Sequence, residues 1–389
     1  MPVIGSLGSA SAGGFGATAP YHQPGILFSG GGLGLRAYKW DEVNGIGEQF
    51  PAPPSYTGTA ARPVQIIGNS QNPRINTIVS APSIGGLGFN AYEWNGQRGG
   101  FVKKYGEPSS YLSGATTTQE TWNNDRTRVV HQITATPYFA MWAWSEAGHG
   151  ARLTTTGSLG VAAPQSDQMM INSPNGEWFV QEGSSSPGII QPYKWADALN
   201  LSLRNGWPYQ PAASGYDIRS FFWPPTPTNN PAYLLYTGSN PGSPLSGSMW
   251  GACTWNNSTG LTALTAGRVT PNVNINGSMT GSFNPSGTHI VTAGGRSITG
   301  RIGYINVIIW NGAPNNCTLM AEPPSGTTLA GGAIQGCNPS WNSKETYVVV
   351  TAAVAPWYSI YRWSNATGLG VRLSVPDLGA ISAVTAKFI

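Results

Sequence analysis

Apolar residues along this chain fall in short runs rich in Val, Ile, Tyr and Thr, each closed by Asn, Gly, Ser or Pro. Gly and Pro interrupt almost every window of a dozen residues, which excludes a long amphipathic helix and predicts strands throughout. The runs repeat. "LRAYKW", "FNAYEW", "FAMWAW", "IQPYKW", "WGACTW", "NVIIW" and "YSIYRW" end at Trp40, Trp94, Trp144, Trp195, Trp255, Trp310 and Trp363, at successive spacings of 54, 50, 51, 60, 55 and 53 residues. A period near fifty residues, kept through seven units, predicts a repeat architecture.

Each unit holds more than its tryptophan. Ahead of it lies a β-rich run such as "RVVHQITA", "AYLLYTG" or "YVVVTAA", often introduced by a turn such as "NPSG" or "SPNG". Behind it come a Gly/Asn turn and a further run such as "FVKKYG" or "VRLSV", and there is room upstream for one more strand, as in "NINGSMTGSF". Four short strands per unit, joined by hairpins, predict one blade of a β-propeller, and the seven tryptophans then serve as core between blades. The first unit has three strands, "GILFSGG", "LRAYKW" and "IGEQF", with no inner strand ahead of them, while the last is followed by a spare run, "GAISAVTAKFI". The expectation is an all-β, seven-bladed propeller over residues 21–389, closed by the C-terminal strand completing the first blade and so removing free sheet edges. Residues 1–20 are left over as a glycine-rich arm.

Composition narrows the function classes. Only 9% of residues are charged, the formal net charge of +4 arises from 20 basic and 16 acidic residues, and no run of like charge exists. That excludes the basic stripe a nucleic-acid binder needs. The three cysteines, Cys253, Cys317 and Cys337, are odd in number and widely spaced, so neither a disulfide framework nor a zinc site is expected. The opening "MPVIGSLGSASAGGFGATAP" has no basic segment followed by an apolar one, and no stretch approaches the length of a spanning helix. Synthesis in a cytosol without a membrane span is expected.

Two resemblances add to this reading. "FNPSGTHIVTAGG", residues 283–295, resembles the loop-to-strand phrase of WD40-like propellers, although the Trp-Asp pair occurs only at Trp40-Asp41; the resemblance implies the architecture alone. The arm is similar to the Ser-Ala-Arg-Gly-Phe-Gly openings of tailed-phage structural proteins, matching at Ser11-Ala12 and Gly14-Phe15-Gly16 with Gly13 in the arginine's place. This resemblance implies a virion component present in several copies and attached to other virion proteins, with Val3, Ile4, Leu7 and Phe15 as the apolar contacts of an assembly arm.

Reactive groups are scarce. The four histidines are His22, His131, His149 and His289; His131 and His289 fall in second-strand runs as packed imidazoles, and His149 falls in the "SEAGHG" turn as a solvated residue. The six aspartates are scattered, and no metalloprotease, nucleophile-elbow or calcium-loop motif occurs. No catalytic, cofactor or metal site is therefore expected, and the chain reads as non-enzymatic. Trp207, Tyr209 and Trp223 lie among prolines in "NGWPYQP" and "FFWPPTPTNNP", where exposed aromatics would stack on a sugar or enter a protein pocket. The functional expectation is a tail or capsid appendage of a phage particle that contacts a host-surface glycan or receptor; the alternative is a soluble carbohydrate-binding propeller lectin.

Overall fold

The computed structural model describes residues 24–31, 34–55, 65–67, 77–80, 90–95, 100–106, 117–133, 139–153, 170–185, 188–195, 202–203, 217–225, 231–239, 249–261, 268–269, 280–294, 302–320, 328–330, 338–351, 357–375 and 382–389. Every regular element among them is a β-strand, and the strands pair antiparallel into sheets built on four strands, two of the sheets carrying a fifth. The chain is a β-propeller with four-stranded antiparallel blades. Residues 1–23, and with them Val3, Ile4, Leu7 and Phe15 of the arm, lie outside the described residues.

Seven sheets are present among the described residues. Sheet I runs Ser382–Phe388, Gly25–Gly31, Gly34–Asp41 and Gly45–Gln49; sheet II runs Gln65–Ile67, Thr77–Ser80, Ala91–Asn95 and Gly100–Lys104. Sheet III is formed by Thr117–Trp122, Arg128–Ile133, Phe139–Ser145 and Gly148–Leu153, and sheet IV by Met170–Asn172, Trp178–Ser185, Gly188–Lys194 and Ser202–Leu203. Sheet V takes Asp217–Phe222, Tyr233–Ser239, Met249–Asn256 and Gly260–Leu261, with Arg268–Val269 also on its third strand. Sheet VI takes Thr280–Phe283, His289–Gly294, Ile302–Trp310 and Cys317–Leu319, with Thr328–Ala330 on its third strand; sheet VII takes Ser340–Trp341, Tyr347–Thr351, Tyr358–Ser364 and Gly368–Arg372. In sheet I the two chain ends meet directly, with Ile26 opposite Phe388, Leu27 opposite Lys387 and Phe28 opposite Ala386.

The repeated phrase has a local cause, seen in sheets I, II, III and VII. The tryptophan stands at the end of the third strand, where the ladder to the fourth strand shifts register between Tyr38 and Trp40, Glu93 and Trp94, Trp142 and Trp144, and Tyr361 and Trp363. Such a bulge sharpens the local twist and re-aims the side chain. The following turn ends on a glycine at positive φ, Gly45 at 79°, Gly100 at 109° and Gly368 at 68°, a backbone region that side chains with a Cβ avoid. In these four sheets the phrase is a bulge, a tryptophan and a left-handed glycine.

The core lies between sheets. Leu27 and Phe50 of sheet I pack with Tyr92 and Trp94 of sheet II, and Ile78 and Tyr105 of sheet II with Trp122 and Trp142 of sheet III. The same pattern joins III to IV through Phe139 and Phe179, IV to V through Val180 and Leu234, V to VI through Leu235 and Ile290, and VI to VII through Val291 and Val348. Val349 and Tyr358 of sheet VII pack with Phe28 and Trp40 of sheet I. Of the seven repeat tryptophans, Trp40, Trp94, Trp144, Trp195, Trp255 and Trp363 are buried and Trp310 is partly buried. The first strands are the inner ones, since those of III and IV, IV and V, V and VI, and VII and I approach one another. Side chains tie them: Gln119 accepts a hydrogen bond from the Met170 amide at 2.6 Å, and Ser340 accepts one from the Phe388 amide at 3.1 Å.

Candidate binding site

In sheets III, IV, VI and VII the turn between first and second strands is held by its leading residue. Asn123 Oδ1 accepts from the Arg128 amide at 2.8 Å, Ser173 Oγ from the Trp178 amide at 3.1 Å, Asn284 Oδ1 from the His289 amide at 2.8 Å, and Asn342 Oδ1 from the Tyr347 amide at 2.9 Å. Short polar side chains at a turn satisfy backbone donors in this way. Neighbouring turns then meet across the gap between sheets. How they meet differs from gap to gap.

Between sheets VI and VII the gap is filled by side-chain bonds. Glu345 accepts from Ser286 Oγ at 2.8 Å, from the Ser286 amide at 3.0 Å and from Asn284 Nδ2, while Asn284 also donates to Asn365 Oδ1 at 3.0 Å. Between VII and I, Glu42 accepts from Asn342 Nδ2 and Lys344 Nζ, both at 3.1 Å, and its carbonyl accepts from Tyr347 at 2.7 Å.

Between sheets III and IV the turns leave a cleft of about 460 Å³ lined by Asn123, Asn124, Asp125, Arg128, Asn175, Gly176, Glu177, Lys194 and Trp195. Its floor is fixed where Asn124 Nδ2 donates to the Asn175 carbonyl at 2.9 Å. Gly176, at φ 68°, makes that approach possible, because a Cβ there would stand 1.9 Å from the Asn124 carboxamide carbon. Asn175 Oδ1 accepts from Ser173 Oγ and the Glu177 amide, and Asp125 Oδ1 accepts from the amide and hydroxyl of Thr127. Trp195 Nε1 donates to Asn172 Oδ1 at 3.3 Å, and the Lys194 ammonium lies 5.6 Å from the Trp178 ring centre. The lining therefore presents carboxamides, two carboxylates and two cations beside the edge of an indole. Planar carboxamides and carboxylates suit vicinal hydroxyl groups, and an indole suits the C–H face of a sugar ring.

A second cavity, of about 420 Å³, opens where the inner strands of IV to VII end; Ile171, Phe221, Trp223, Pro225, Phe283, Pro339 and Trp341 are among its walls. Among the described residues its lining holds Ser282, Asn284, Asn338 and Ser340 as polar groups and no ionisable side chain. Ser220 donates to Asn338 Oδ1 at 2.7 Å beside it. Trp223 stands here, partly buried and packed edge-on against Trp255 at 4.9 Å between ring centres. Trp207 and Tyr209 lie outside the described residues.

The histidines divide. His289 packs on Trp363 and shares a 2.8 Å contact with Thr288 Oγ1, and burial lowers its pKa. His131 is fully buried as expected, but His149 is no solvated turn residue: it belongs to the fourth strand of sheet III, is half-buried, and its Nε2 lies 3.0 Å from Nε2 of His131. Chain proximity could not show this, because the contact is made across the intervening third strand. Among the described residues no three His, Cys, Asp or Glu side chains converge as metal ligands.

No family model matches the chain, and no curated protein matches it by sequence. Solved structures do. A protein from Lactobacillus plantarum matches with TM-score 0.63 at 13% identity, over 94% of this chain and 99% of its own. A candidate 6-phosphogluconolactonase from Bacteroides fragilis matches with TM-score 0.61 at 12% identity, over 96% and 99%. The periplasmic gluconolactonase of Pseudomonas aeruginosa matches with TM-score 0.61 at 10% identity, over 94% and 99%. The likeness is one of fold. It corrects the expectation of a non-enzymatic chain, since the scarcity of motifs on which that rested does not set this chain apart from a fold shared with proteins named as lactonases.

Proposed function

We propose that this chain is a carbohydrate-binding propeller displayed on a tailed-phage particle, with its ligand in the cleft between sheets III and IV. The cleft carries the reading: a polar, charge-balanced hollow on the turn face, walled by Asn124, Asp125, Arg128, Glu177 and Lys194 beside Trp195. The phage location rests on the resemblance of residues 1–20, which would anchor the propeller of residues 21–389 to other virion proteins. We further infer that the seven sheets make one closed ring of seven blades. Sheet II, with strands of three and four residues, is the slightest, yet it has four strands and a core cluster on each side.

A glycan array followed by titration calorimetry tests the binding site. Asn124→Ala and Glu177→Ala should abolish binding of whichever sugar the wild type retains; unchanged binding in both variants removes the cleft from consideration. Particle incorporation of residues 21–389, compared with the full chain, tests the anchor separately, and normal incorporation overturns it.

A second reading is favoured by the names of the similar structures: hydrolysis of a sugar lactone in the same cleft. Water would add to the lactone carbonyl, the ring C–O bond would break, and a carboxylate and a hydroxyl would result. Asp125 or Glu177 would take the proton from water while Arg128 or Lys194 stabilises the oxyanion. Alkali consumption on adding glucono-lactone above the spontaneous rate, lost in Glu177→Gln or Asp125→Asn, supports it; a rate equal to the buffer blank refutes it.

A further inference from the structure

Among the described residues, the seam between sheets II and III brings two histidine rings into direct contact beside a buried carboxyl group. His131 on the second strand of sheet III faces Glu120 across the ladder, and both are fully buried. His149 on the fourth strand completes a row. Its Nε2 meets His131 Nε2 at 3.0 Å, and its Nδ1 meets the Gly106 carbonyl, from the end of sheet II, at 2.9 Å. Trp142 covers His131 at 4.5 Å and Trp144 covers His149 at 5.0 Å between ring centres.

His149 also belongs to the backbone clip between the two sheets. Gly106 and Gly148 form a parallel bridge, in which the His149 amide donates to the Gly106 carbonyl at 3.2 Å and the Gly106 amide to the Ala147 carbonyl at 3.0 Å. Both positions need glycine: a Cβ on Gly148 would stand 2.4 Å from the Gly106 nitrogen, and one on Gly106 would stand 2.9 Å from the Ala147 oxygen.

The proton positions follow from these contacts. A carbonyl only accepts, so His149 Nδ1 carries a hydrogen in either charge state. Neutral His149 therefore offers a lone pair at Nε2, and His131 must donate from its own Nε2. A proton added to His149 places N–H against N–H unless His131 moves its hydrogen to Nδ1. A second proton places two cations 3.0 Å apart among indoles.

We propose that this seam is an acid-responsive latch, in which protonation of the His131–His149 pair releases the Gly106–His149 clip and opens the propeller between sheets II and III. The charged groups around the pair among the described residues are these. Burial raises the Glu120 pKa well above the usual carboxyl range and so disfavours its charged form, and neither of its carboxyl oxygens is hydrogen-bonded to His131. From sheet II, Glu93 lies 3.4 Å from Lys103, which lies 3.6 Å from Glu146 of sheet III and 4.8 Å from the Tyr105 ring centre; Arg126 acts on Tyr105 and Glu146. Burial, then the neighbouring His149, lower the pKa of His131 well below the ordinary histidine value. A depressed histidine pKa means the seam is at full strength above about pH 6.5, the unfolded value, and weakens as pH falls through the folded value.

Hydrogen exchange of the full chain at pH 7.5, 6.5 and 5.5, corrected for intrinsic rates, tests this. Protection at the Gly106 and His149 amides should fall about tenfold per pH unit below about 6.5, while the Val180 and Leu234 amides between IV and V, a seam with no histidine among the described residues, hold theirs. His149→Gln keeps a donor for the Gly106 carbonyl and an acceptor for His131 without a titrating ring at that position, and should reduce the response. His131→Phe with His149→Gln should abolish it, and Glu120→Gln should leave it intact. Equal loss at both seams, no loss at Gly106 and His149, or an undiminished response in the double variant overturns the latch.

Discussion

The gap between sheets VI and VII and the gap between III and IV are built from the same turn, yet one is sutured and the other open. Asn284 and Asn123 hold their turns through the same bond to the amide five residues on. In the first gap Glu345 reaches across and binds both the backbone and the hydroxyl of Ser286. In the second, Asn124 donates to the Asn175 carbonyl and Asn172 to the Trp122 carbonyl, and Asp125, Arg128, Glu177 and Lys194 are left around a hollow. Where crossing bonds consume the polar groups, the face is structural; where they do not, the groups remain for a ligand.

The tryptophans give the largest effects by which to test this difference. Trp363→Ala and Trp195→Ala each remove a buried indole from a sheet-to-sheet core, and each should cost about 3–5 kcal/mol in urea denaturation. Trp195→Ala should also weaken ligand binding, since its edge lines the cleft, whereas Trp363→Ala should not. Equal losses of binding would erase the distinction between the two gaps.

Cutting the suture is next in size. Glu345→Ala removes the acceptor shared by the Ser286 amide, the Ser286 hydroxyl and Asn284, which keeps its bond to Asn365, and should destabilise by about 1.5 kcal/mol, the low end of the range for hydrogen bonds to a charged group because Glu345 is part-exposed. Calorimetric melting at neutral pH measures it. The smallest effect belongs to the open gap: Glu177→Ala, at an exposed position, should shift stability by no more than about 0.5 kcal/mol while removing binding. A Glu177→Ala variant that melts as low as Glu345→Ala would show the cleft to be a structural joint as well.

Much of the fold is legible in the sequence because its causes are local. The tryptophan marks a bulge, the glycine after it marks positive φ, and "GAISAVTAKFI" reads as a strand whose partner, "GILFSGG", lies at the other end. Chemistry is less legible because it depends on what faces a turn from the next sheet. "WNNDRT" and "FNPSGT" look alike as turns, and nothing within either shows that Glu345, at φ 56°, swings into one gap while the other stays open. His131 and His149 are 18 residues apart, and their contact passes across the third strand, beyond any periodic pattern. The scarcity of motifs is no guide to activity either, because proteins named as lactonases share the fold.

Sheet I, assembled from both ends of the chain, sets a clock on biosynthesis. The strands ending at Gln49 leave the ribosome about 330 residues before Ser382–Phe388, the strand that pairs with Gly25–Gly31, has been made. At roughly 5–20 residues per second that is an interval on the order of 20–70 s. Through it Ile26 and Phe28, fully buried or nearly so in the finished molecule, await the strand that holds Ala386 and Phe388. A nascent chain of this protein therefore presents an unpaired, apolar strand edge for most of its synthesis, and the six intervening sheets are complete before the first one is.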